Sequence, residues 1–114
     1  MGRFSAGAVV FVPFPFSDLS QSKLRPAVVL GDAGRGDLVL CQVTSNAYAD
    51  PRAVGLTSPD YAQGSLNQTS YARPGKLFTA SDTLIVRQVA HLHPAALTRI
   101  IDAVVRILRP SSTT

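Results

Sequence analysis

The chain has no glutamate and no tryptophan, and only one cysteine, one methionine and two lysines in 114 residues. A single cysteine excludes a disulfide within the chain. Cys41, set in the apolar run Leu38-Val39-Leu40-Cys41, reads as a small core residue. No apolar stretch approaches the ~18 residues that a membrane helix needs. Met1 to Ala8 lacks the apolar run of a secretory leader, so the expectation is a cytoplasmic protein with no membrane segment. Repeats and low-complexity blocks are absent. Two histidines, His91 and His93, fall short of the three protein ligands that zinc usually takes. They read as residues leading into a helix, and neither a metal nor another cofactor is expected. The segment Gly31-Asp32-Ala33-Gly34-Arg35-Gly36 has no helix after it, which excludes a nucleotide-binding glycine loop.

What is present is arginine. Nine of the eleven basic residues are Arg, all seven acids are Asp, and the net charge is +4. A small basic domain points to a polyanionic partner such as nucleic acid. The length suits one domain over residues 1–110, with Ser111 to Thr114 as a polar tail.

Ala8-Val9-Val10-Phe11-Val12 is apolar at every position and predicts a central strand covered on both faces. The prolines of Phe14-Pro15-Phe16 stop a regular ladder, and Ser17 to Lys23 forms a polar loop. Lys23-Leu24-Arg25 then runs into Pro26-Ala27-Val28-Val29-Leu30, with Pro26 setting where pairing begins because it has no N–H. The glycine-dense turn and Asp37 to Thr44 complete an antiparallel hairpin. With the turn centred near Ala33–Gly34, Arg25 falls opposite Gln42 to Thr44. A guanidinium and a hydroxyl at the open end of a hairpin make a place to hold a phosphate.

Further on, Ser45 to Arg52 is irregular, Ala53 to Leu56 is a short strand, and Thr57 to Gly64 is loop. Ser65 to Ala72 is weakly strand-like, Arg73-Pro74-Gly75-Lys76 reads as a turn, and Leu77-Phe78-Thr79 and then Thr83 to Val89 are short strands or a strand with a helical turn. The closing helix is the clearest element. Pro94 suits its first position, and Pro110 ends it. Leu97, Ile100, Ile101, Val104, Val105 and Leu108 follow the spacing of one buried face. The expected class is mainly β with a C-terminal helix: a curved antiparallel sheet or barrel with the helix packed on it.

Several of these stretches resemble the MazF/PemK-like toxins of type II toxin–antitoxin pairs. They are Gly7-Ala8-Val9-Val10-Phe11-Val12-Pro13-Phe14-Pro15-Phe16, then Lys23 to Leu30, Val43-Thr44-Ser45, and Ser70-Tyr71-Ala72-Arg73-Pro74-Gly75-Lys76-Leu77-Phe78-Thr79. Ala8 stands where many members carry an acid after the first glycine. The resemblance implies an SH3-like barrel, usually homodimeric. It also implies a metal-independent endoribonuclease cutting single-stranded RNA, restrained by a small acidic antitoxin. Arg25 and Thr44 match the family's catalytic pair. Metal-free cleavage uses the substrate's 2′-OH as nucleophile, with Arg25 as charge stabiliser and candidate acid and Thr44 as a second donor. The base is unassigned; Asp18, Asp82 and the two histidines are the remaining candidates. Ser20, Ser22, Lys23, Ser45, Arg73 and Lys76 are candidate RNA contacts, and Phe14 and Phe16 are candidates for base stacking or core packing. The alternative is a non-enzymatic barrel, for example a gyrase poison, which lacks the Arg–Thr pair.

Overall fold

A computed structural model describes residues 3–14, 23–46 and 50–109. Seven strands form one antiparallel sheet: β1 Ala8–Phe14, β2 Lys23–Gly34, β3 Asp37–Thr44, β4 Val54–Leu56, β5 Tyr61–Gly64, β6 Ser70–Ser81 and β7 Arg87–Leu92. The spatial order is β4-β6-β3-β2-β1-β7-β5. The two edge strands, β4 and β5, are consecutive in the chain and joined by a single 3-10 turn over Ser58–Asp60. The sheet therefore curls until its edges nearly meet, and the result is a nearly closed barrel. Helix α1, Pro94–Leu108, closes the chain.

β1 is apolar on both faces because it lies between β2 and β7 with packing above and below it. Val9 joins Val28, Cys41, Val43, Ala72 and Leu92 beneath Ala96, Ile100 and Val104 of the helix. Ala8, Val10, Val12 and Phe14 join Ala27, Val29, Leu38, Leu40 and Ile85 on the opposite face. Each large side chain buried this way contributes roughly 1.5–3 kcal/mol.

The helix differs from its expected face. Its buried residues are Ala96, Ile100, Ala103 and Val104, while Ile101, Val105 and Leu108 are 36%, 42% and 70% exposed. Two alanines let the helix sit close to the sheet and turn the outer half of the apolar stripe to solvent.

Pro26 limits pairing on one side only. The β2–β3 ladder begins at Ala27↔Gln42, immediately after it, but the β1–β2 ladder runs on through Pro26↔Phe11 to Lys23↔Phe14. The hairpin turn lies at Arg35–Gly36 rather than Ala33–Gly34, and both residues have positive φ (59° and 81°), as a two-residue hairpin turn requires. Asp32 Oδ1 accepts from the Gly34 N–H at 2.7 Å and steadies the approach. Two register shifts between the turn and Val29 then bring the ladder to the pairing Val29↔Leu40.

Two loop expectations are corrected. Tyr61–Gly64 is a strand, paired with Ala90, His91 and Leu92 of β7. Arg73-Pro74-Gly75-Lys76 is no chain reversal but a bulge inside β6: Val43 pairs with Ala72 and Cys41 with Leu77, so residues 73–76 face Gln42 alone. Pro74, which cannot donate to a ladder, sits where no ladder bond is needed.

Candidate active site

The register of the hairpin positions the site. In an antiparallel pair, residues directly opposite point to the same face. Val29↔Leu40 and Ala27↔Gln42 share one face, and the ladder closes there. The next residues on that face are Arg25 and Thr44. Arg25 is exposed and Thr44 half-buried. Arg25 is held from its other side by pairing with Val12 of β1.

Thr44 has a defined hydrogen-bonding state. The Asn46 backbone N–H donates to Thr44 Oγ1 at 3.1 Å. A hydroxyl that accepts in this way still has its own proton to donate, and that proton meets no acceptor among the described residues. Thr44 pairs with Tyr71 of β6, and Tyr71 in turn with Gly55 of β4. A Cβ placed on Gly55 would lie 3.9 Å from Tyr71 Cε1, so the ring covers the glycine. Tyr71 is a half-exposed aromatic one strand from Thr44, which suits stacking on an unpaired base. In the sequence Tyr71 stands within the stretch Ser70 to Thr79, with no signal of its own to give it a role. Its pairing with Thr44 depends on the bulge at residues 73–76, which sequence spacing does not reveal.

The other candidates divide. Lys23, Ser45 and Lys76 are exposed near this end of the sheet. Arg73 is half-buried, and its Nε lies 3.5 Å from Asp50 Oδ2 in an ion pair. Its carbonyl accepts from the Cys41 thiol at 3.1 Å. Burial pushes that thiol up to about 12, against the opposing Arg73 hydrogen bond. Cys41 stays protonated and is no nucleophile. Phe14 is 6% exposed and packs edge-on against Phe78 with ring centroids 4.4 Å apart; it is a core residue. Ser20, Ser22, Asp18 and Phe16 lie outside the described residues.

Three base candidates lie elsewhere. Asp82 sits in the 3-10 turn Asp82–Leu84, and its N–H donates to the Gly36 carbonyl at the hairpin tip. That is the far end of β3, roughly 25 Å from Thr44 at ~3.3 Å per residue. His91 is in β7 opposite Ala8, its Nε2 3.2 Å from Ser5 Oγ. His93 is the exposed residue preceding the helix. Beside the Arg25–Thr44 face a cavity of about 410 Å³ is lined by Pro13, Phe14, Gln42, Lys76, Phe78 and Leu84, among others. It is mainly apolar, and Lys76 is the one cation in its lining among the described residues.

No curated protein matches the chain. The family described as PemK-like, MazF-like toxin of type II toxin–antitoxin systems matches residues 5–108. Solved structures of similar fold include a MazE–MazF complex from Deinococcus radiodurans, 23% identical over 95% of this chain and 97% of its own, with a TM-score of 0.74. An endoribonuclease bound to its cognate antitoxin, from a mycobacterial species, is 16% identical over 95% of both chains, with a TM-score of 0.71. The Mycobacterium tuberculosis toxin MazF-mt6 is 16% identical over 89% of this chain and 95% of its own, with a TM-score of 0.68. At these identities the likeness is one of fold.

Proposed function

Because the chain belongs to the PemK/MazF family of type II toxins, we propose that it is a metal-independent endoribonuclease that cuts single-stranded RNA. The observation that carries this reading is the placement of Arg25 and Thr44 as the next same-face residues beyond the β2–β3 ladder, with the Thr44 proton left to donate. The 2′-oxygen of the substrate forms a bond to phosphorus and loses its proton to a base. The bond from phosphorus to the 5′-oxygen breaks, and that oxygen gains a proton. The products are a 2′,3′-cyclic phosphate and a 5′-OH.

Charge builds on the non-bridging oxygens as the new bond forms. A planar guanidinium answers it with parallel donors, and the Thr44 hydroxyl adds one more. Arg25 is also the candidate acid for the leaving oxygen; the base is unassigned. Tyr71 beside Thr44 is positioned to stack a base of the strand being cut. The net charge of +4 favours both an RNA strand and a small acidic antitoxin. Two of the solved relatives were captured with antitoxins. A homodimer is the expected assembly.

The test is to incubate the protein with a long single-stranded RNA in EDTA and map the ends. Discrete cuts with 5′-OH ends are expected. Arg25→Ala should lower the rate by about 10²–10³, the effect of losing one preorganised donor to a developing charge. Thr44→Val, which keeps the strand and removes the hydroxyl, should slow cutting to a lesser extent. Cutting that survives Arg25→Ala would move the site elsewhere.

A further inference from the structure

Away from the Arg25–Thr44 face, the loops around the sheet edges enclose a second cavity of about 310 Å³, lined by Thr57, Ser58, Tyr61, Ser65, Asn67, Gln68 and Thr69. That volume lies at the lower end of the range for small-ligand sites. Every lining side chain carries a hydroxyl or an amide, and none carries a charge. In a chain with eleven basic residues, an uncharged polar cavity calls for a neutral ligand rich in donors and acceptors. Phosphate or a carboxylate would find no cation here.

Three features of the cavity go beyond composition. Tyr61 is 9% exposed, and its hydroxyl is buried with no hydrogen-bond partner among the described residues. Burial raises the phenol pKa, against the opposing effect of the Leu66 backbone. A hydroxyl that has lost water and gained no partner is destabilising unless something else supplies one. Asn67 holds φ at +63°, a left-handed conformation uncommon for a side-chain-bearing residue. Its N–H donates to Ser65 Oγ at 2.7 Å, and the Ser65 hydroxyl donates to Asn67 Oδ1 at 3.1 Å. The opposite wall is braced as well: the Thr57 N–H donates to Asp60 Oδ2 at 2.7 Å, and Asp60 pairs with Arg99 of the helix at 3.1 Å.

The cavity is linked to the candidate active site by one strand. Gln68 and Thr69 lead into β6, and Tyr71, two residues on, pairs with Thr44. At ~3.3 Å per residue the separation along the strand is roughly 7–10 Å. A few nucleotides cover that, at about 3.4 Å each when stacked.

We infer that this cavity is a subsite for one unpaired nucleobase of the RNA, adenine above the others. The inference rests on the endoribonuclease reading for its ligand. Adjacent amides such as Asn67 and Gln68 match the donor–acceptor edge of adenine, unpaired bases present that edge to proteins, and the hydroxyls of Thr57, Ser58 and Thr69 line the rest of the cavity.

The experiment separates this inference from the cleavage reading, because free nucleosides contain no bond for the enzyme to cut. The full chain is titrated with adenosine, guanosine, cytidine and uridine while backbone amide NMR signals are followed. Adenosine is expected to move the signals of Thr57, Asn67 and Thr69 most. Gln68→Ala and Thr69→Val should each weaken its binding by about fivefold, the effect of one hydrogen bond. Failure of all four nucleosides to move these signals overturns the inference, as does unchanged affinity in both variants. Adenosine binding in a protein that fails to cut RNA would keep the subsite and remove the enzyme.

Discussion

At the scale of single residues, Arg25 and Thr44 were accessible from sequence because strand pairing is arithmetic. The turn was misplaced by about two residues, yet the two bulges between the turn and Val29 returned the ladder to the expected pairing. Cys41 was also readable as core. Its burial has a measurable consequence. A thiol whose pKa rises to about 12 on folding holds its proton more tightly in the folded chain than in the unfolded one, where the value is about 8.5. Its contribution to stability is therefore complete below about pH 8.5 and is lost as pH rises toward 12. Denaturant melts of Cys41→Ala against the parent should show the parent alone losing that increment over the alkaline range. Iodoacetamide should leave native Cys41 unmodified and label it in denaturant.

At the scale of elements, sequence reading succeeded where one periodicity ran long enough and failed where a strand was short or bulged. β1, β2, β3 and α1 announce themselves by apolar runs. β5 is four residues, Tyr61-Ala62-Gln63-Gly64, of which three are exposed, so it carries no pattern to find. Its existence depends on β7, an element far along the chain. Gly64 shows the dependence: its φ is +63°, and a Cβ there would lie 2.2 Å from the Val89 carbonyl oxygen. No rigid backbone can give that much. Gly64→Ala should cost at least about 2 kcal/mol in chemical denaturation. The Pro74-Gly75 dipeptide marks no turn for a related reason: local dipeptides do not report a bulge that tertiary pairing absorbs. Likewise the helix was placed correctly, but which half of its apolar stripe is covered depended on the two alanines against the sheet.

At the scale of the whole molecule, charge and closure matter most. Binding to RNA should be steep in salt. Each phosphate neutralised on a single strand contributes about −0.7 to the slope of log affinity against log salt. Removing an exposed cation near the site, as in Lys76→Ala, should flatten the slope by about that amount without shifting the melting temperature. Measurement on a non-cleavable RNA at several salt concentrations checks it, and an unchanged slope would take Lys76 off the RNA path.

The sheet order has a further consequence, in time rather than space. β1 lies between β2, its neighbour in the chain, and β7, which pairs Val9 with Ala90. A ribosome making 5–20 residues per second releases the β2–β3 hairpin a few seconds before β7 exists. Through that interval β1 has one open edge and its apolar faces lack their final cover. The hairpin bearing Arg25 and Thr44 is thus made early, but the frame that holds it is completed only once β7 has emerged. A truncated nascent chain would carry the residues of the site without the barrel that fixes them.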